Sequence, residues 1–168
     1  MRTLLSIVFM SVCYVAFAQT DLMSIKFSPS FIKGAQFTIS KADAEYSMSL
    51  KGNLVNETVL IQESSLSKIK NFMPEYFIGK QQEDSIERAK QLEDEKNGIH
   101  VVGLDGITIE GIFRDQDSNR MFKFWSPNQA SVNYKLMILL FDLMKGSFVK
   151  PETRKYITEL KIYFQIYK

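Results

Sequence analysis

Thiol and imidazole chemistry are nearly missing from this chain: its 168 residues include one cysteine, Cys13, and one histidine, His100. A lone histidine cannot build a multi-histidine metal site, and a lone cysteine forms neither an internal disulfide nor a Cys-based zinc site. No metal and no cofactor is therefore expected. An excess of either charge is missing too, since 21 basic residues face 19 acidic ones for a net charge of +2. That balance creates no long-range field toward phosphate backbones, and the basic residues are scattered, adjacent only at Arg154-Lys155. Nucleic acid is excluded as an expected partner. Beyond the N-terminus the longest apolar run is Leu136 to Phe141, far short of the roughly 20 residues that cross a bilayer.

What is present begins with an export-like leader. Arg2 supplies positive charge, Leu4 to Phe17 form an apolar and small-residue run, and Ala16-Phe17-Ala18 before Gln19 has the small-x-small form of a cleavage site. The run is short for a retained anchor. Cys13 follows Val12 inside it and does not stand at a lipidation point. The expectation is a signal peptide over residues 1–18, a periplasmic or secreted protein, and one domain over residues 19–168 without a transmembrane span. Loss of Cys13 with the leader removes thiol catalysis, and the 150 remaining residues are enough to fold on packing without disulfides.

Apolar periodicity predicts an α+β domain with about seven short strands in a mainly antiparallel sheet. Ile25 and Phe27 within Met23–Ser28, then Phe37 and Ile39, then Tyr46, Met48 and Leu50 alternate with polar neighbours as half-buried strands do. Ala42-Asp43-Ala44 and Lys51-Gly52-Asn53 are turn signals, the second leading to a strand at Thr58–Gln62. Together these four strands suggest a meander. After Asn97-Gly98, three more are expected at His100–Leu104, Ile107–Arg114 and Met121–Trp125, joined by an Asp105-Gly106 turn and the polar loop Asp115–Asn119.

Helical spacing appears at Leu66, Ile69, Phe72 and Met73, with Ser64 or Ser65 as N-cap and Pro74 ending or bending a short helix. Gln81–Lys96 reads as a separate, solvated surface helix in which Asp84–Arg88 and Lys90–Asp94 are spaced to pair. Ser131 is expected to cap an apolar helix that stops before Gly146 and needs cover on more than one face, placing it between the sheet and another element. For the C-terminus, Pro151 followed by Tyr156, Leu160, Tyr163 and Tyr167 favours a helix over an edge strand.

Candidate sites follow from residue types. Asp115, Asp117 and Asn119 match the first ligand positions of a calcium loop, but Arg120 replaces the required glycine and Ser126 the bidentate glutamate, so a polar turn explains them better. Alternation puts Phe122 and Phe124 on one face and Trp125 on the other, where packing or recognition are the options. Asp115, Asp117, Asn119, Trp125 and Asn128 are the candidate binding residues, and no catalytic residue is assigned. Two functions of different class follow. One is a non-enzymatic binding or accessory protein for a protein, peptide or cell-envelope ligand, for example an inhibitor. The other is a carboxylate-dependent hydrolase of an envelope or extracellular polymer, drawing its acid and base from Asp105, Glu110, Asp115 and Asp117. His100 and the serines lack a nucleophile motif, and the balance favours binding.

Overall fold

Alternating apolar residues build one face of a six-stranded antiparallel sheet. A computed structural model describes residues 19–98, 105–115 and 118–165. Its strands are β1 (Thr20–Pro29), β2 (Ala35–Ala42), β3 (Glu45–Gly52), β4 (Asn56–Ile61), β5 (Ile107–Asp115) and β6 (Ser118–Trp125). The first four form the expected meander. β5 then returns to the free side of β1, giving the order β4-β3-β2-β1-β5-β6. The seventh strand expected at His100–Leu104 and the signal peptide expected over residues 1–18 both fall outside the described residues.

Cross-strand register shows how alternation becomes a core. Leu50, Phe37, Ile25, Gly111 and Phe122 are successive partners across β3, β2, β1, β5 and β6, and the four with side chains are buried. The opposite face carries Thr58, Ser49, Thr38 and Ser24 in one register row, as expected for an antiparallel sheet with one face packed and one wet. Gly111 has a steric reason to be glycine. A Cβ there would collide with the Phe122 ring, which is fixed edge-on to Tyr76 at 5.5 Å and stacked on Phe124 at 6.2 Å.

Three helices cover the packed face: α1 (Glu63–Lys96), α2 (Val132–Ser147) and α3 (Pro151–Ile162). The two helices expected on either side of Pro74 are one 34-residue helix, about 51 Å long. Pro74 costs about 3 kcal/mol by removing the N–H that would bond the Lys70 carbonyl. Buried anchors outweigh it on both sides, with Leu66, Ile69 and Met73 before the proline and Tyr76 after it, each contributing about 1.5–3 kcal/mol on burial. Tyr76 also donates its hydroxyl to Asn133 at 2.9 Å.

Ser64 and Ser65 lie inside this helix. Its N-cap is Gln62, whose side chain caps no helix N–H. The distal half, from Gln81 on, is the expected solvated helix, with Ile86 and Leu92 exposed. Asp84 pairs with Lys80 rather than with Arg88, and no ion pair joins Lys90 to Asp94 among the described residues. Gly98, at φ 69°, takes the left-handed backbone that follows a helix end.

α2 starts as expected, the Ser131 hydroxyl accepting from the Tyr134 N–H at 3.1 Å, but it runs through Gly146 to Ser147. Buried Phe148 ends it, its N–H bonded to the Met144 carbonyl. The helix lies between α1 and α3 and buries Leu136, Met137, Leu140, Phe141 and Met144. The C-terminal segment is helical, with Pro151 in its first turn and Phe164 edge-on to Phe141 at 5.2 Å. At its other end α3 is tied to the sheet by Glu57, a buried carboxylate of β4. No helix among the described residues is long and apolar enough to cross a membrane.

Candidate functional site

The residues singled out from sequence fall at opposite ends of the β5–β6 hairpin. Asp115 pairs with Ser118 and Arg114 with Asn119, so the connection is tighter than the five-residue loop expected. Asp117 lies outside the described residues. Trp125 pairs with Thr108 at the far end, six residues from Asn119 and so about 20 Å away at strand rise. These candidates therefore do not form one site.

Trp125 is 49% exposed and its ring lies against Gly106. Asn128 is exposed, but its side chain accepts from the Ala130 N–H at 2.9 Å and its carbonyl from the Ser131 N–H at 2.9 Å, shaping the turn before α2. Near Trp125 is an open groove of about 630 Å³ with Asp105, Phe31 and Ile162 in its walls. Phe31 and Tyr163 stack there at 6.5 Å.

Of the carboxylate pool, Glu110 and Asp115 lie on β5, Asp105 precedes that strand, and Asp117 lies outside the described residues. Glu110 and Asp115 stand five residues apart on β5, about 17 Å at strand rise, and Asp105 precedes Glu110 by a similar interval. Glycosidase pairs stand about 5–9.5 Å apart. Glu110 points to the wet face and pairs with Lys123 at 2.7 Å. The hydrogen bond and charge of Lys123 hold its pKa below the ordinary carboxylate range, the opposite of what a general acid needs. Among the described residues no three His, Cys, Asp or Glu side chains gather around a common metal position.

A more enclosed cleft of about 520 Å³ lies at the Asp115 end, within the range of about 300–1,000 Å³ typical of small-molecule sites. Its floor is sheet, with Met23 and Ile39 paired across β1 and β2 and Phe113 beyond Met23 on β5. Its roof is α1, through Leu66, Ile69, Met73, Pro74 and Phe77. The register of β1 against β2 shifts between Asp21 and Met23, leaving Leu22 at the cleft mouth. Bulges of this kind re-aim side chains near strand ends and sites. Met23 and Met73 back the cleft from the packed core, and the partly exposed apolar walls are Leu22, Phe77 and Phe113.

Charge collects at the rim through Lys41, Lys70, Arg114, Arg120 and Asp115. Lys70 bonds Glu63 at 2.8 Å, and the Tyr46 hydroxyl donates to the same carboxylate at 2.8 Å. The Glu63 hydrogen bond raises the Lys70 pKa, while Lys70 and then Tyr46 lower that of Glu63. Both stay charged. A nucleophilic lysine needs the reverse shift, so this cluster fixes charge and geometry and does not activate an amine. Arg114 donates to the Asp21 carbonyl at 3.2 Å, with that residue's carboxylate at 3.9 Å. Lys41 and Arg120 make no ion pair among the described residues; Lys41 lies 5.3 Å from the Tyr46 ring centre and Arg120 5.1 Å from that of Phe77.

Of the sequence candidates only Asp115 lines this cleft. Lys41, Tyr46, Lys70 and Arg120 carry no local signature, being ordinary strand-end and helix residues until the sheet closes against α1. In comparisons with known proteins, no family model matches this sequence, and no match was found among curated proteins or solved structures.

Proposed function

We propose that this protein is a small exported binding or accessory protein that acts without turnover, holding an apolar group of its ligand in the cleft between α1 and the bulged end of the sheet. The cleft carries this reading: apolar core residues form its walls, charges are confined to its rim, and a strand irregularity places Leu22 at its mouth. Sites of that composition bind by burial and orient by a few polar groups. The spacing of Asp105, Glu110 and Asp115 and the depressed pKa of Glu110 favour binding over acid–base hydrolysis. The Arg2-to-Ala18 leader supports export and directs the search for partners to proteins, peptides and components of the cell envelope or exterior.

The test is native mass spectrometry of protein recovered from the exported fraction, alongside a Leu22→Trp variant whose fold is verified by its melting curve. The wild type is expected to carry a bound species that the variant loses. Equal occupancy in both would refute the cleft. Amide substitutions at Asp105, Glu110, Asp115 and Asp117 should each change the biological effect by less than about tenfold. A fall of about 10²–10⁴ in a folded variant is the signature of lost general acid or base and would establish the hydrolase instead.

A further inference from the structure

The groove beside Trp125 lies at the Gly106 end of the β5–β6 hairpin and shares no lining residue with the cleft. Two of its apolar residues stand in water: Phe31 is 72% exposed and Ile162 58%. Large apolar side chains exposed in one groove mark an interaction site, where singly scattered ones do not. This groove is also built rigidly. The Phe31 N–H donates to the Tyr163 hydroxyl at 2.8 Å and the two rings stack, which fixes the turn after β1 to the end of α3. The Ser30 N–H and hydroxyl both donate to the Gly106 carbonyl, at 2.9 and 2.8 Å. Ser126 donates its N–H to the Ile107 carbonyl and accepts the Ile107 N–H on its hydroxyl. The exposed aromatic pair is thereby held in place before any ligand arrives, which lowers the ordering cost of binding.

Charge is one-sided here. Among the described residues that line the groove, the ionised ones are Asp105 and Glu159, both acidic. Asp105 makes no ion pair among the described residues. Glu159 has Lys155 at 4.0 Å across one helical turn, with the ammonium in water, and such a pair offsets its charge only weakly. Of the other cations close in sequence, Lys33 is exposed and does not line the groove, and Lys161 lies over the Phe141 ring at 5.7 Å.

We propose that this groove receives an arginine side chain from an extended segment of a partner protein. Its guanidinium answers the carboxylates of Asp105 and Glu159 and stacks on the Phe31–Tyr163 pair, and apolar residues beside the arginine cover Ile162. A flat, permanently charged guanidinium suits both a ring face and a carboxylate, whereas a lysine ammonium is a strongly hydrated point charge. An acidic segment is repelled. This site and the cleft stand or fall separately.

The experiment titrates protein labelled at its isoleucine methyls with the peptide acetyl-Leu-Arg-Leu-amide. Parallel titrations replace the arginine with lysine, glutamate or citrulline, the uncharged isostere of arginine. Methyl NMR gives location and affinity together. The arginine peptide should shift the Ile162 methyl and leave in place those of Ile86, on the distal half of α1, and of Ile39 and Ile69, which line the cleft. Citrulline and lysine should each weaken binding about fivefold, and glutamate more. Asp105→Asn combined with Glu159→Gln, with a melting curve matching the wild type, should bring arginine down to citrulline and leave citrulline unchanged. Phe31→Ala should weaken both peptides. Equal affinity for arginine and citrulline, or an arginine preference that survives the double variant, overturns the proposal. Lysine bound as tightly as arginine refutes the guanidinium. Shifts at Ile39 and Ile69 without Ile162 place the peptide in the cleft and refute the groove, and the absence of any shift refutes the groove while leaving the cleft untouched.

Discussion

Replacing Glu57 with glutamine should destabilise the fold and remove much of its acid sensitivity. Glu57 is only 3% exposed on β4, yet its carboxylate accepts from the Val149 N–H at 2.9 Å and from the Lys150 N–H at 3.2 and 3.3 Å. These donors lead into the N-terminus of α3, where negative charge is favoured. Hydrogen bonds to a charged group contribute about 1.5–3 kcal/mol. Glutamine keeps one acceptor but turns an NH₂ toward a backbone donor, so a loss of about 1.5–3 kcal/mol at pH 7 is expected.

The pH dependence has a definite sign. Burial pushes the Glu57 pKa up, but the Val149 N–H, then Thr153, the Lys150 N–H and the Lys150 charge outweigh it and hold the pKa below its ordinary value of 4.5. The Thr153 hydroxyl is buried without meeting hydrogen-bond geometry, so its pull is electrostatic and the two backbone donors carry the anchor. A carboxylate with a depressed folded-state pKa contributes fully above its unfolded pKa, and the contribution disappears as pH falls through the folded value. Urea melts at intervals from pH 7 to pH 3 should show the gap between wild type and Glu57→Gln closing from about pH 5 downward. A gap under about 0.5 kcal/mol at pH 7, or one that does not change with pH, would refute the anchoring role.

Leu140→Ala should cost about 2–5 kcal/mol through lost burial and a residual cavity, because Leu140 is fully buried in the middle helix of the layer; denaturant melts measure it, and a change below about 1 kcal/mol would place α2 outside the core. Gly111→Ala should cost about 1–3 kcal/mol by displacing the Phe122 ring, and adding Phe122→Ala should make the pair less damaging than the sum of the two single changes. N-terminal sequencing of exported protein should read from Gln19; Met1, or a lipidated Cys13, would overturn the leader assignment.

Elements whose period stands out locally were legible without the fold. β1, β2 and β3 show apolar residues at alternate positions, as do parts of β5 and β6, and Ser131 and Pro151 mark helix starts by cap chemistry and missing-donor chemistry. Both signals act over one or two turns of chain, so primary structure suffices to read them. The near-absence of cysteine and histidine likewise depends on no contact.

Other features were decided only by long-range packing. Pro74 reads locally as a breaker, and α1 continues through it because Met73 and Tyr76 are buried on either side. Gly146 reads as a stop, and α2 passes it because Phe148, two residues later, has its place in the core. The cleft is the clearest case. Lys41, Tyr46 and Lys70 belong to three elements, and what brings them together is the pairing of β2 with β3 under α1. A charge becomes part of a site only when its neighbours neutralise some charges and not others. That bookkeeping runs across strands, where sequence spacing carries no information.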